Sequence, residues 1–245
     1  MFSLFGKKKV TPDLSFLGAD MHSHLLPALD DGLKTMGETI SFIKELHALG
    51  YKKLICTPHI ISDIHPNSPA SILSRLHEVQ VEINKQNIPV QIEAAAEYMV
   101  DLDFEETIRQ EKQLLTFGDN YILIEMSFVA PSPNIESAIF ELCIKGLQPI
   151  IAHPERYNYY HDSFEKYQRL IDLGCVLQVN LLSLLGYYGG YSKKIAEKLI
   201  KSGMVQFVGT DMHHDRHLEA LQELASRQDL YDLLGKADLK NHTLI

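Results

Sequence analysis

The chain has 245 residues, 45% hydrophobic and 22% charged, enough to bury a substantial core in one compact domain that no low-complexity linker divides. Its formal net charge of −9, with no basic run beyond Lys7-Lys8-Lys9, argues against a general electrostatic grip on nucleic acid. Three cysteines (Cys56, Cys143 and Cys175) without a Cys-x-x-Cys spacing argue against a disulfide framework and fit a reducing compartment.

The opening Met1 to Lys9 carries its charges after a very short apolar run, the reverse of a secretory signal, and no apolar stretch is long enough to span a bilayer. A cytoplasmic protein without a transmembrane segment is expected, with residues 1–17 as an N-terminal extension. The first residues read either as a frayed terminus or as a contact for a membrane or partner surface.

From there the chain repeats one unit: a short run of branched apolar residues, a turn, and a segment with helical spacing. Strand Gly18–His24 precedes helix Met36–Leu49, Lys53–Thr57 precedes Pro69–Gln86, Val90–Ala96 precedes Asp101–Gln113, and Tyr121–Met126 precedes Asn134–Lys145. Pro149–His153 with Phe164–Leu173, Val176–Val179 with Ser192–Lys201, and Val205–Thr210 with His217–Ser226 complete seven units, leaving 227–245 as a C-terminal helix or tail. Glycines at Leu49-Gly50, Lys145-Gly146, Leu173-Gly174 and Ser202-Gly203 predict helix ends. Such alternation predicts an α/β fold with a parallel sheet, a closed or nearly closed barrel being favoured over an open doubly wound sheet. The first turn lacks a Gly-x-Gly-x-x-Gly fingerprint, which speaks against dinucleotide binding.

In a parallel barrel all strand carboxyl ends face one rim, and six of the seven predicted ends carry His, Asp or Glu. His22 and His24 sit two apart on one strand face. His59 follows Thr57-Pro58, Glu97 follows Ala95-Ala96, Glu125 and His153 end their strands, and Asp211 and His213 follow the last. Asp31, in the loop Asp30-Asp31-Gly32, adds a hard oxygen donor within reach. Each alone reads equally as a core histidine or a helix cap; converging, they read as a metal site. One ion cannot use nine donors. Two or three divalent cations sharing a carboxylate can, and mixed imidazole and carboxylate ligands suit manganese, iron or zinc. Such a pocket would be locally cationic and would attract phosphate. Arg156 either clamps phosphate oxygens there or forms a surface ion pair. His65, His214 and His217 are intermediate; His47, His77, His161 and His242 read as ordinary helix or tail residues. The tyrosine-rich segments Tyr157, Tyr159, Tyr160 and Tyr187, Tyr188, Tyr191 either line a cleft or pack the rim.

His22-Ser23-His24, Asp30-Asp31-Gly32, Thr57-Pro58-His59, Glu125, His153-Pro154-Glu155-Arg156 and Asp211-Met212-His213 resemble the PHP (polymerase and histidinol phosphatase) metallo-phosphoesterase superfamily. Within it the resemblance is to the bacterial CpsB/CapC branch, manganese-dependent protein-tyrosine phosphatases of capsule and exopolysaccharide synthesis, and it runs from Asp20 to Leu218. It implies a distorted (β/α)7 barrel holding three metal ions on the nine residues named, with Glu125 bridging two of them and Arg156 on the phosphate. Asp31, Glu125 and Arg156 would be catalytic, with His65 and Tyr157 as substrate contacts. The implied partner is a phosphotyrosine-bearing protein, typically a bacterial tyrosine kinase that regulates polysaccharide export. The chemistry would be in-line attack on phosphorus by an activated water without a covalent enzyme intermediate. Thiol-based phosphatase chemistry is excluded, because Ser62, Pro149 and Leu181 stand where Cys-x5-Arg needs arginine. A histidinol-phosphate phosphatase or nucleotide phosphodiesterase, and a non-catalytic metal-stabilised regulatory module, are the competing readings.

Overall fold

The structure is a computed structural model that describes residues 13–245; residues 1–12, with Lys7-Lys8-Lys9 and most of the expected extension, lie outside the described residues. Strands β1 (Ala19–Asp20), β2 (Lys53–Cys56) and β4 (Gln91–Ala94) form one sheet in the order β1-β2-β4. Strands β3 (His59–Ile60), β5 (Glu97–Met99), β6 (Tyr121–Glu125), β7 (Gln148–Ala152), β8 (Val176–Asn180) and β9 (Val205–Gly209) form a second, in the order β3-β5-β6-β7-β8-β9. Every pairing within both is parallel.

The helices are α1 (Met36–Ala48), α2 (Pro69–Lys85), α3 (Leu102–Arg109), α4 (Ile135–Ile144), α5 (Glu165–Asp172), α6 (Gly190–Lys201), α7 (Asp215–Ala225) and α8 (Gln228–Leu234). The sequence explains their ends. Thr35 and Glu38 form a reciprocal capping box that starts α1, and Ser68 caps α2 with Pro69 in its first turn, where a missing N–H costs nothing. Ile40, Ile43 and Leu46 make the buried stripe of α1, while the buried Thr39 hydroxyl donates to Leu25 O (2.7 Å) and ties the helix to the loop that follows His24. α3 stops short of the expected Gln113. Glu111 turns into the left-handed region (φ 54°), and the Leu115 N–H donates to the Tyr98 hydroxyl at 2.7 Å.

Seven predicted strands have become nine because two of them are interrupted at their carboxyl ends. Pro58 lacks an N–H for a ladder, and the Thr57 N–H goes to Ser23 O at 2.7 Å. The Ala95 N–H is held by Cys56 O (2.8 Å) and the Glu97 N–H by Pro58 O (3.1 Å), so the chain steps from the first sheet to the second at these points. The step brings His59 and Glu97 into register as paired residues, with Met99 paired to Glu125 one strand on.

Two apolar layers enclose the strands. Ala19, Met21, Ile55, Ala95, Leu123, Ile150, Ala152 and Phe207, drawn from both sheets, make one interior cluster. Residues on the other face, such as Leu54, Ile122, Ile124, Ile151, Leu177 and Val208, pack with the buried helix stripes in a second. Beyond β9, Ser23 and Met212 form a parallel bridge. The buried Asn241 of the tail joins β1 to β9: it donates to Ala19 O (3.0 Å) and Val208 O (2.7 Å) and accepts from the Val208 N–H (3.0 Å). No helix among the described residues is long and apolar enough to cross a membrane.

Candidate metal centre

All nine residues named at strand ends contribute donor atoms to four interlocking groups at one rim, the donors within each group lying within 4.8 Å of one another. The groups are His22, His24 and Asp211; His22, Glu97 and His153; His59, Glu97 and Glu125; and His24, Asp31, His59 and His213. The fully buried Glu97 occupies the middle. Its Oε2 lies 3.2 Å from His22 Nε2, 3.4 Å from His24 Nε2 and 3.2 Å from His59 Nδ1, and its Oε1 lies 2.9 Å from His153 Nε2. The resemblance gives the bridging role to Glu125, yet Glu125 belongs to one group and Glu97 to two. The reason is register. β5 lies between β3 and β6, so the Glu97 side chain reaches inward between the ligands of its neighbours.

Several of these donors are aimed by a second set of residues. The Asp30 carboxylate accepts from His24 Nδ1 at 2.7 Å, and its Oδ2 also accepts from the His59 N–H (3.1 Å). Gln178 Oε1 lies 2.9 Å from His22 Nδ1 and accepts from the His153 N–H, while Asn180 Nδ2 donates to Asp211 Oδ2 at 2.7 Å. With Nδ1 engaged in this way, His22 and His24 turn Nε2 toward the cluster, the tautomer a cation needs. His153 and Asp211 both adopt left-handed backbone (φ 35° and 50°), a costly conformation for such residues that the surrounding contacts must enforce. Two glycines make room. A Cβ on Gly32 would stand 2.3 Å from His24 O, and one on Gly209 would stand 2.7 Å from the His22 Cβ.

The sixth predicted strand, Val176–Val179, runs into Asn180 and so ends without a strong ligand. Its contribution is the pair Gln178 and Asn180, which hold His22 and Asp211. The available signal was two polar residues two apart in a short run of branched apolar ones, hence on one face.

The donor set fits divalent cations. His59 Nδ1 and Glu125 Oε1 lie 2.9 Å apart, and both are buried atoms without a well-directed hydrogen bond among the described residues, a want that a shared cation would meet. Nitrogen and carboxylate oxygen in this mixture match manganese, iron or zinc. Charge is matched too. Burial opposes ionisation of Glu97 and Asp211, but the imidazoles of His22, His59 and His153 hold the Glu97 carboxyl well below the usual range, and His22 and His213 do the same for Asp211.

The same charges couple metal uptake to protons. Burial alone would strip His59 of its proton, but Glu97 and Glu125 outweigh it and push the imidazole from 6.5 up to about 9. In protein stripped by a chelator, the protonated His59 therefore contributes its full stability below about pH 6.5, and that contribution is lost as pH rises through about 9. A cation competes for the same nitrogen. Manganese binding at pH 7.5 is expected to release protons, with apparent affinity rising toward pH 9. Calorimetry in two buffers of different ionisation enthalpy reads the release; identical heats in both would refute it.

Above the cluster is a cavity of about 230 Å³ lined in part by Asp31, Glu125, Arg156, Phe128 and Tyr188. Arg156 Nη1 donates to Asp211 Oδ2 at 3.0 Å, and its guanidinium carbon lies over the rings of Phe128 (4.4 Å to the centroid) and Tyr188 (4.2 Å). Its other N–H groups make no hydrogen bond among the described residues. His65 stacks on His59 (5.5 Å between centroids) and lies 3.9 Å from Asp31 Oδ1. His217 also lines the cavity; burial, then His214 beside it, push its pKa down to about 4. Tyr157 does not line the cavity. It is fully buried, because its hydroxyl accepts the Met126 N–H at 2.9 Å and supports the strand end next to Glu125. Burial also raises the thiols, Cys56 to about 12, so no nucleophilic thiolate competes with the cluster.

Residues 18–226 match the family described as capsular polysaccharide synthesis, CpsB/CapC. The tyrosine-protein phosphatase YwqE of Bacillus subtilis is 29% identical over 196 residues, covering 80% of this chain and 77% of the relative. The tyrosine-protein phosphatase CpsB of Streptococcus agalactiae is 29% identical over 201 residues, covering 80% and 82%. Among solved structures, work on YwqE from Bacillus subtilis and CpsB from Streptococcus pneumoniae, described as unique metal-dependent tyrosine phosphatases, includes a chain that superimposes with a TM-score of 0.80. That chain is 27% identical, and the match covers 92% of this chain and 90% of the other.

Proposed function

The chain belongs to the capsular polysaccharide synthesis CpsB/CapC family, and from that membership we propose that it is a metal-dependent protein-tyrosine phosphatase. The observation that carries the reading is the convergence of nine donor residues beneath a cavity that Arg156 overlooks. We assign the centre three divalent cations, manganese first and iron or zinc next, with Glu97 shared between groups and Asp31 and His213 on the open side. Bound there, such cations would acidify a water and neutralise phosphoryl charge.

The chain's own residues do the rest. Asp30, Gln178 and Asn180 fix the ligands, so little reorganisation accompanies the reaction. Arg156, anchored by Asp211 and packed against the Phe128 and Tyr188 rings, offers its free N–H groups to non-bridging phosphate oxygens. A tyrosinate, with a parent pKa of about 10, departs with less protonation than an alkoxide requires; His65 is the candidate proton donor at the rim. The physiological substrate would be a phosphorylated tyrosine kinase of the capsule or exopolysaccharide system, met in the cytoplasm.

We also read the two sheets as the wall of one distorted (β/α)7 barrel making a single domain, its breaks lying at Thr57-Pro58 and Ala95-Ala96. The interior cluster common to both sheets and the Ser23 to Met212 bridge support this. Purified protein loaded with manganese should hydrolyse a phosphotyrosine peptide in preference to histidinol phosphate and a dinucleotide. Preference for either of the latter would displace the tyrosine-phosphatase reading, and inactivity on all three would favour a regulatory module.

A further inference from the structure

We propose that Phe128 is the residue by which the site selects an aromatic phosphate ester, its ring receiving the ring of the substrate; the inference rests on the phosphatase reading above. The segment from Ser127 to Asn134 holds no charged residue, and at the lip of the cavity Phe128 is 45% and Val129 90% exposed. Across the mouth the rim is polar, with Asp31, His213 and His214. An apolar ledge on one side of a charged pocket is a surface whose exposure calls for a partner.

The ledge is held in place at its base. The Tyr159 hydroxyl donates to Ser127 O at 2.9 Å, and the Met126 N–H is fixed on the Tyr157 hydroxyl. Arg156 lies against the Phe128 ring at 4.4 Å, so a phosphoryl group bound by that guanidinium brings its ester oxygen beside the open part of Phe128. In an aryl ester the ring is attached directly to that oxygen and reaches Phe128; an alkyl ester puts a small tetrahedral carbon there. Tyr188 faces Arg156 as well, but its hydroxyl end is buried, leaving Phe128 as the more open ring. Stacking of this kind favours an aromatic ligand by about two- to tenfold.

The test uses the full chain loaded with manganese and compares wild type, Phe128→Leu and Phe128→Tyr. For Phe128→Leu, KM for a phosphotyrosine peptide should rise by roughly three- to tenfold with kcat within about twofold. Phenylphosphonate should be weakened by roughly three- to tenfold more than methylphosphonate, whose own change reads any effect passed through Arg156, while Phe128→Tyr should keep the wild-type preference. Equal weakening of both phosphonates would mean that the ring acts only through Arg156 and would overturn the proposal; so would no change in either. Phosphonate binding needs no turnover, so a wild type inactive on phosphotyrosine would sink the phosphatase reading while the Phe128 comparison still decides its own question.

Discussion

Glu97→Gln is expected to lower kcat/KM by about 10³-fold or more and to reduce bound manganese by at least one ion per chain. The change keeps side-chain volume and replaces one oxygen, yet that carboxylate stands within 3.4 Å of His22, His24 and His59 through one atom and 2.9 Å from His153 through the other. An amide brings no charge to balance cations or imidazolium groups, and its NH2 directs protons where lone pairs are needed. Glu125→Gln serves as the internal comparison. Because Glu125 takes part in one donor group, its loss should cost about ten- to a hundredfold and leave more metal bound. Elemental analysis beside steady-state kinetics reads both variants. If Glu125→Gln strips more metal than Glu97→Gln, the shared carboxylate has been misassigned. Chelator should lower the unfolding temperature of wild type markedly and that of Glu97→Gln much less.

Arg156→Ala should reduce kcat/KM by about 10²- to 10³-fold while leaving metal content at the wild-type level. The two readouts separate because Asp211 keeps its 2.7 Å bond from Asn180 when the 3.0 Å bond from Arg156 is removed. Arg156→Lys should recover little of the loss. An ammonium cannot bond Asp211 and phosphate oxygens together through a planar fork, nor pack a planar cation against Phe128 and Tyr188. Metal loss in proportion to activity would show instead that the arginine matters by holding Asp211 in place.

Much of this centre was legible in the order of residues. Parallel strands deliver their carboxyl ends to one rim, so His, Asp and Glu at those ends could be gathered by topology alone, and all nine contribute to the observed groups. What could not be read was which carboxylate reaches the middle. Glu97 and Glu125 are the same residue type at similar positions, and they differ only through the side step at Ala95-Ala96, which no periodicity announces. Tyr157 misled for a related reason. A tyrosine in a loop after a strand suits the rim, whereas here a backbone N–H needed its hydroxyl below. Gln178, Asn180 and Asp30 escaped as supports because their value lies in what they hold.

The donors of these interlocking groups come from residues as far apart as His22 and His213. While the chain is being synthesised, the His59, Glu97 and Glu125 group is encoded by residue 125, but the full set of groups must wait until the strand leading to Asp211 and His213 has left the ribosome and paired. Capture of the full complement of cations is therefore a late event in the life of the nascent polypeptide. The ion that ends up inside is then decided by what the surrounding fluid offers at that moment, since affinity alone ranks the first-row metals in the same order at most such sites.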